Sequence, residues 1–269
     1  MGRRRALFFL TAALASTTAH AQDEVPFVTS PHPVTMAMLK LARVQASDVV
    51  LDLGSGDGRI VIAAARQFGA RGVGVELSPQ LVQTSRDNAA RAGVAGRTQF
   101  IVQDLFETDL AQASVITMYL LPEVNLRLRP KLLALRPGTR IVSHDWDMGD
   151  WQPDRTWVVD APDKPVGLEK RSRVHLWVVP ASLEGAWCSA GHALRLEQTY
   201  QELRGDWTHG SSAPTAIESR IQGRVVQLVR PDGRARLALH GAQLRVEAAG
   251  GVWSALRGVV FSRGAEGCR

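Results

Sequence analysis

Cysteine is scarce in this 269-residue chain, aromatic residues make up only 6% of it, and lysine is absent after Lys170. The two cysteines, Cys188 and Cys268, are too few and too far apart for a C-x-x-C redox pair or a zinc knuckle. No H-E-x-x-H and no G-x-S-x-G occurs, which removes the helical zinc-protease and serine-hydrolase patterns. The seven histidines show no ligand-like spacing, so no metal site is predicted. Ser78 and Ser143 have no evident base partner in sequence. The apolar run from Ala6 to Ser16 falls well short of the roughly 20 residues that cross a bilayer, so no stable membrane anchor is predicted. Basic residues exceed acidic ones by six, and three of those are Arg3, Arg4 and Arg5. The surplus beyond them is small and scattered, which is not the footprint of a nucleic-acid partner.

What is present begins with a leader. Three arginines, a short apolar run and Ala19-His20-Ala21 form the three parts of a cleavable signal. The sequence therefore predicts a signal peptide over 1–21, cleavage after Ala21, and a periplasmic or secreted protein. No cysteine follows the cleavage site, which argues against a lipoprotein.

The remainder divides near Pro180. Over 22–180, apolar strands alternate with amphipathic helices, the pattern of a parallel α/β sheet. Strands are predicted at Val49–Leu53, Val73–Glu76, Thr98–Val102, Val115–Met118 and Arg140–Ser143, with two closing strands at Trp157–Val159 and Val174–Val179. Helices are predicted at about Pro33–Ala42, Gly58–Phe68, Pro79–Ala92 and Pro122–Leu133. Over 181–269 the texture changes to short alternating runs such as ALRLEQTYQ, IQGRVVQLV, ARLALH, AQLRVEA and WSALRGVVF, separated by turn residues. That is a small antiparallel β-domain, a sandwich or a barrel. Cys188 lies just before its first run and Cys268 just after its last. In an exported protein they predict a disulfide, formed if the domain closes and its end strands are neighbours.

The first strand runs into Asp52-Leu53-Gly54-Ser55-Gly56-Asp57-Gly58 and then a helix. A dinucleotide loop would read G-x-G-x-x-G and aim a helix N-terminus at pyrophosphate. Here the spacing is G-x-G-x-G, and the carboxylates of Asp52 and Asp57 would repel such an anion. They suit a ligand carrying a sulfonium and an α-ammonium, namely S-adenosyl-L-methionine. Glu76 ends the second strand, where a carboxylate can accept from both ribose hydroxyls. Asp104 follows the third, placed for the adenine amino group, with Leu105 or Phe106 beside the ring. The cofactor-binding set is thus Asp52, Gly54, Ser55, Gly56, Gly58, Glu76, Asp104 and Leu105. A lone acid at a strand end is usually a turn or a cap; three at successive carboxyl ends are hard to explain that way.

With these motifs, DLGSGDGR, GVELS and QDLF, the chain resembles the class I S-adenosylmethionine-dependent methyltransferases. The resemblance covers about Pro26 to Val179 and implies a Rossmann-like doubly wound sheet. PFVTSP…MLKLA followed by DVVLDLGSGDGRIVIAAA is similar to a narrower group that includes mitochondrial protein-lysine methyltransferases acting on ATP-synthase and membrane-carrier proteins. The resemblance implies cofactor contacts at Asp52, Gly54, Gly56, Glu76 and Asp104, and a cover over the methionine end from Phe27 to Pro31.

Acceptor chemistry is expected after the fourth and fifth strands, in MYLLPEVN and SHDWDMGDW. The N-P-P-Y tetrad of amino-methyltransferases is absent. His144 or Asp145 is expected to act as general base or to orient the acceptor, and Tyr119 and Trp146 to line the methyl-transfer channel. The predicted partner is a protein or a small-molecule methyl acceptor, through an amine or hydroxyl, with protein lysine as one such acceptor. The competing readings are an exported cofactor-binding protein without transfer activity, and an envelope ligand-binding protein that works through its β-domain.

Overall fold

A computed structural model describes residues 28–264 and 268. The predicted leader over 1–21 and Phe27 of the predicted cover lie outside the described residues. The first half is a sheet of β1 (Val49–Leu53), β2 (Arg71–Glu76), β3 (Thr98–Val102), β4 (Val115–Met118), β5 (Arg140–His144), β6 (Arg155–Asp160) and β7 (Arg171–Val178). Its order is β3-β2-β1-β4-β5-β7-β6. The first five strands are parallel, and β7 runs antiparallel to both β5 and β6. The sheet is therefore mixed, not purely parallel. Four helices, α1 (His32–Leu41), α2 (Arg59–Phe68), α3 (Pro79–Arg91) and α4 (Pro122–Leu133), pack on it.

Alternation along the strands explains the layering. Val50, Val115 and Val142 face one layer with α1 and with Ile60 and Ala64 of α2. Leu51, Ile116 and Ile141 face the other, against Leu128 and Leu132 of α4. Successive side chains point to opposite faces, so a strand buried on both sides reads as a continuous apolar run. Helix starts follow local chemistry: proline opens α3 and α4, and the Ser78 hydroxyl accepts from the Leu81 N–H at the head of α3. α2 ends at Gly69 in the left-handed conformation, with Ala70 N–H donating to Ala64 O.

Differences from expectation are small and local. β2 begins at Arg71 because its N–H already donates to Asp48 O, and β5 extends to His144, which pairs with Val174. The closing strands are longer than predicted, at Arg155–Asp160 and Arg171–Val178.

The second half contains β8 (Gly185–Ser189), β9 (His192–Thr199), β10 (Glu202–His209), β11 (Thr215–Gln222), β12 (Val225–Arg230), β13 (Gly233–His240), β14 (Gln243–Gly251) and β15 (Val260–Arg263). Each pairs antiparallel with the next and β15 pairs with β8, so the barrel closes. Two predicted runs are corrected: IQGRVVQLV is broken by a turn at Gly223, φ 59°, between β11 and β12, and WSALRGVVF by the 3₁₀ turn Ser254–Leu256 and by Gly258, φ 76°, before β15. Ser262 pairs with Cys188, and Cys188 and Cys268 form the disulfide. Eight strands leave an interior just wide enough for side chains to fill. Here Trp187, Trp253, Phe261 and their neighbours fill it.

The halves meet through side chains of both. Trp177 Nε1 donates to Trp151 O, and Trp151 Nε1 donates to Gln201 Oε1 at 2.9 Å. Tyr200 stacks on the Trp151 ring, and the Tyr200 hydroxyl donates to Asp150. Trp151 is thus a fully buried joint between the halves.

Candidate active site

The carboxyl ends of β1 to β5 form one edge of the sheet, and the chemically distinctive residues gather there. Gly54, Gly56 and Gly58 have φ of 71°, 54° and 79°, a conformation open to glycine at little cost. The tight turn lets Gly54 and Ser55 N–H both donate to Val75 O. A Cβ on Gly58 would stand 2.7 Å from the Phe100 ring and 2.9 Å from Ser85 Cβ. The absence of a Cβ at Gly58 is therefore required for packing α3 and β3 against the loop. The Ser55 side chain is buried and faces Gly74 of β2.

Glu76 joins the loop to its own strand end. Its Oε2 accepts from Gly56 N–H at 3.0 Å and its Oε1 from Ser78 N–H at 3.1 Å. Each oxygen keeps a lone pair for a ribose hydroxyl. Leu77 and Val102 are 51% and 48% exposed on either side, offering apolar surface to a base. Asp104 Oδ1 accepts from Phe106 N–H at 2.8 Å, which leaves its second oxygen free of hydrogen bonds to the described residues. Leu105 and Phe106 are partly buried against the sheet core. This set of donors, acceptors and apolar faces fits an adenosine.

Asp52 is buried and accepts from Thr117 Oγ1 at 2.7 Å, its cross-strand partner on β4. Burial pushes its carboxyl up to about 8, with the Asp57 and Glu76 charges adding to the rise and the Thr117 bond opposing it. No cationic side chain among the described residues pairs with it. A buried acid without a cation suits a ligand that brings positive charge. Asp57 behaves differently from expectation: the Arg59 guanidinium grips both its oxygens, at 2.6 Å for the shortest contact. Both its oxygens are paired inside the loop, so Asp52 and Glu76 are the acids left to meet a ligand.

Arg59 also reaches back, donating from Nη1 to Ser30 O at 3.0 Å. Ser30 Oγ bonds His144 Nδ1 at 2.8 Å, and His144 Nε2 bonds Ser172 Oγ at 2.9 Å. The Tyr119 ring stacks on the imidazole, centroids 3.9 Å apart. His144 is fully buried, and desolvation lowers its pKa to about 4 despite the Asp145 charge beside it. The imidazole is neutral at pH 7 and both nitrogens are engaged. This corrects the expectation that His144 can act as general base: it is a positioning residue that ties the segment before α1 to β5 and β7.

Asp145 has φ 62°, one of three non-glycine residues in the left-handed region among those described. Its Oδ1 accepts from Arg173 N–H at 2.9 Å, and its Oδ2 lies 2.8 Å from Lys164 Nζ. The base role expected of Asp145 is thus blocked here by a cation. Tyr119 is half-buried, and its hydroxyl makes no hydrogen bond with the described residues. Burial, helped by the Asp145 carboxylate, raises its pKa. Trp146 is 43% exposed at the rim. Asn125 Nδ2 donates to Trp146 O and Asp147 O, holding the turn after β5 against α4.

Sequence reasoning missed Arg59, Thr117 and Lys164 as parts of this edge, while Ser30 falls within the expected cover from Phe27 to Pro31. Arg59 stands inside DLGSGDGR, two residues from Asp57, so a local signal existed. Lys164 lies 19 residues beyond Asp145, and only the return of β7 beside β5 brings its loop there.

Residues 52–155 match the ANTKMT methyltransferase domain. A protein-lysine N-methyltransferase of Saccharolobus islandicus is 44% identical over 131 residues, covering 48% of this chain and 81% of that protein. The adenine nucleotide translocase lysine N-methyltransferase of Mus musculus is 37% identical over 147 residues, covering 51% of this chain and 63% of that protein. The match thus spans less than two thirds of the mouse relative's length. A crystal structure of an RNA methyltransferase from Salinibacter ruber with S-adenosyl-L-homocysteine is 53% identical, with a TM-score of 0.52. It aligns with 58% of this chain and 96% of that one.

Proposed function

Because the chain belongs to the S-adenosylmethionine-dependent protein-lysine methyltransferase family, we propose that it methylates the ε-amine of lysine in a protein acceptor. When bound, S-adenosyl-L-methionine supplies a methyl group activated by its sulfonium. The chain's own residues bind and orient. Asp52 and Glu76 hold the cofactor's charge and ribose, and Asp104 with Leu77 and Val102 holds its base. The tie from Arg59 through Ser30 to His144 keeps the segment before α1 over the loop. Tyr119 presents its ring and free hydroxyl beside Asp145, where an acceptor nitrogen can be placed. Orientation of this kind can contribute roughly 7–11 kcal/mol to a bimolecular transfer.

The single observation that carries lysine as acceptor is the 44% identity to the archaeal protein-lysine enzyme. That match covers 81% of the archaeal protein. RNA is the second reading, favoured by the name of the Salinibacter ruber relative. The small, scattered basic surplus supports protein over RNA. The compartment is part of the same proposal. The leader over 1–21 and the Cys188–Cys268 disulfide both support an oxidising, periplasmic or secreted setting. The test is labelled S-adenosylmethionine with envelope protein and, separately, total RNA from the native host. Label recovered as methyl-lysine after acid hydrolysis is expected. Label confined to RNA would reverse the choice of acceptor.

A further inference from the structure

The loop between β6 and β7 carries a lysine into the candidate active site. Lys164 Nζ lies 2.8 Å from Asp145 Oδ2 with only 11% of its side chain exposed, and it also donates to Arg171 O at 2.9 Å. Apolar packing contributes little to the hold of this loop: Val166 is 54% exposed and Leu168 fully so. Its base is closed by Ala161 N–H to Lys170 O and by a turn from Lys164 N–H to Ala161 O. Beyond that base, the lysine ammonium is what presses the loop against the sheet edge. The pair is largely shielded from water, so the ammonium leaves only when another cation takes its place on the carboxylate.

Asp145 is built to present one oxygen to a cation. Oδ1 is fixed by the Arg173 N–H, and the residue's own N–H donates to Arg173 O at 2.7 Å. The backbone at Asp145 is in the left-handed region, at φ 62°. Oδ2 then faces Lys164, and the neighbouring imidazole of His144 is neutral and committed to Ser30 and Ser172. The Asp145 charge is felt at the Tyr119 hydroxyl, so the ammonium, the carboxylate and the free phenol share one locality.

We infer that Asp145 Oδ2 is the subsite for the acceptor's primary ammonium, and that Lys164 is an internal occupant which the acceptor displaces. The inference rests on the amine-acceptor reading above and adds the residue that recognises the amine and the segment that competes for it. Opening the site requires the ammonium to leave Asp145 Oδ2 and Arg171 O and the loop to swing outward at its base.

The probe is n-butylammonium chloride, titrated by calorimetry or NMR into the full chain saturated with S-adenosyl-L-homocysteine. Lys164→Met keeps the length of the side chain and removes its charge; with the internal competitor gone, the amine is expected to bind at least about fivefold more tightly than in the natural chain. Adding Asp145→Asn should abolish that gain; asparagine tolerates the left-handed backbone and can still accept from the Arg173 N–H. Equal or weaker amine binding by Lys164→Met, with a folded protein confirmed by thermal melting, would overturn the inference. So would amine binding that survives Asp145→Asn. The methyl-lysine assay reports separately on the lysine reading. If no methyl-lysine forms while Lys164→Met still gains amine affinity, lysine transfer falls and the ammonium subsite stands.

Discussion

Of the polar side chains buried in the described residues, Gln201 alone lies in the barrel half; the others, from Ser30 to His175, belong to the α/β half. Asp52, Asn125, Ser143, His144 and Ser172 all sit at or near the carboxyl edge of the sheet. The barrel instead buries Trp187, Leu194, Leu203, Ile221, Leu244, Trp253 and Phe261 around its axis. Buried polar groups cost free energy unless paired, and even when paired they contribute less than apolar packing of the same volume. A half that accepts such groups in quantity is shaped for chemistry, and a half that excludes them is shaped for stability. The filled interior also removes the reading in which the β-domain holds an envelope ligand inside it. Its outer surface and its joint at Trp151, Tyr200 and Gln201 are what it offers the other half.

The largest expected effect breaks the comparison on the barrel side. Replacing Cys188 and Cys268 by alanine opens a staple between residues 80 apart and should destabilise the barrel by about 2–5 kcal/mol. Affinity for S-adenosylmethionine should stay unchanged if the two halves hold their roles separately. Denaturant unfolding followed by tryptophan fluorescence, beside a cofactor titration, measures both.

On the other side, Glu76→Ala removes acceptors for the ribose and for the Gly56 and Ser78 N–H groups. A charged hydrogen bond is worth about 1.5–3 kcal/mol, so cofactor affinity should fall roughly 10- to 150-fold. Barrel unfolding should not move. Equal calorimetric affinity in the mutant would refute the role given to Glu76.

A pH series sharpens the contrast. The buried Asp52 carboxyl titrates at about 8 in the free protein. S-adenosylmethionine is cationic at sulfur and its demethylated product is not, so preference for the former should rise with pH up to about 8. The rise is at most about tenfold per pH unit. Binding near pH 7 should release a proton, detectable as a heat that depends on the buffer. Asp52→Asn should flatten the profile. The same raised pKa means the native state binds more protons than the unfolded chain from about pH 4 to 8. Over that interval this residue's contribution lowers stability as pH rises.

The effect of the histidine has the opposite sign. His144 titrates at about 4 when folded, below its ordinary 6.5. The native state therefore binds fewer protons than the unfolded chain between those values, and stability should fall as pH drops from 6.5 towards 4. Thermal melts of His144→Gln should show a shallower slope across that window, and an unchanged slope would remove His144 as its source.

Much of this is legible in the chain. Strands β1, β3 and β4 and helix α4 fall on their predicted residues, because each is a short apolar or amphipathic period bounded by a turn residue or a proline. Glu76 and Asp104 are legible because their places at strand ends follow from the strands themselves. The packing requirement at Gly58 is not, since a glycine demanded by an approaching helix looks the same in sequence as one demanded by a ligand. For Asp57 the charge can be counted from the sequence but its pairing with Arg59 cannot. His144 looks like a base for the same reason: the two hydroxyls that occupy it come from residues 114 and 28 positions away.

By itself the sequence determined the α/β then all-β order, the acidic G-x-G-x-G loop with its two further acids, and the cysteines at the ends of the second half. These follow from periodicity, turn chemistry and charge, which act over a few residues. Tertiary structure alone decided that the β-domain closes as a barrel, that His144 is locked between serines, and that Lys164 reaches Asp145. Those outcomes depend on which distant strands become neighbours, and burial and pairing energies, not local propensity, settle that.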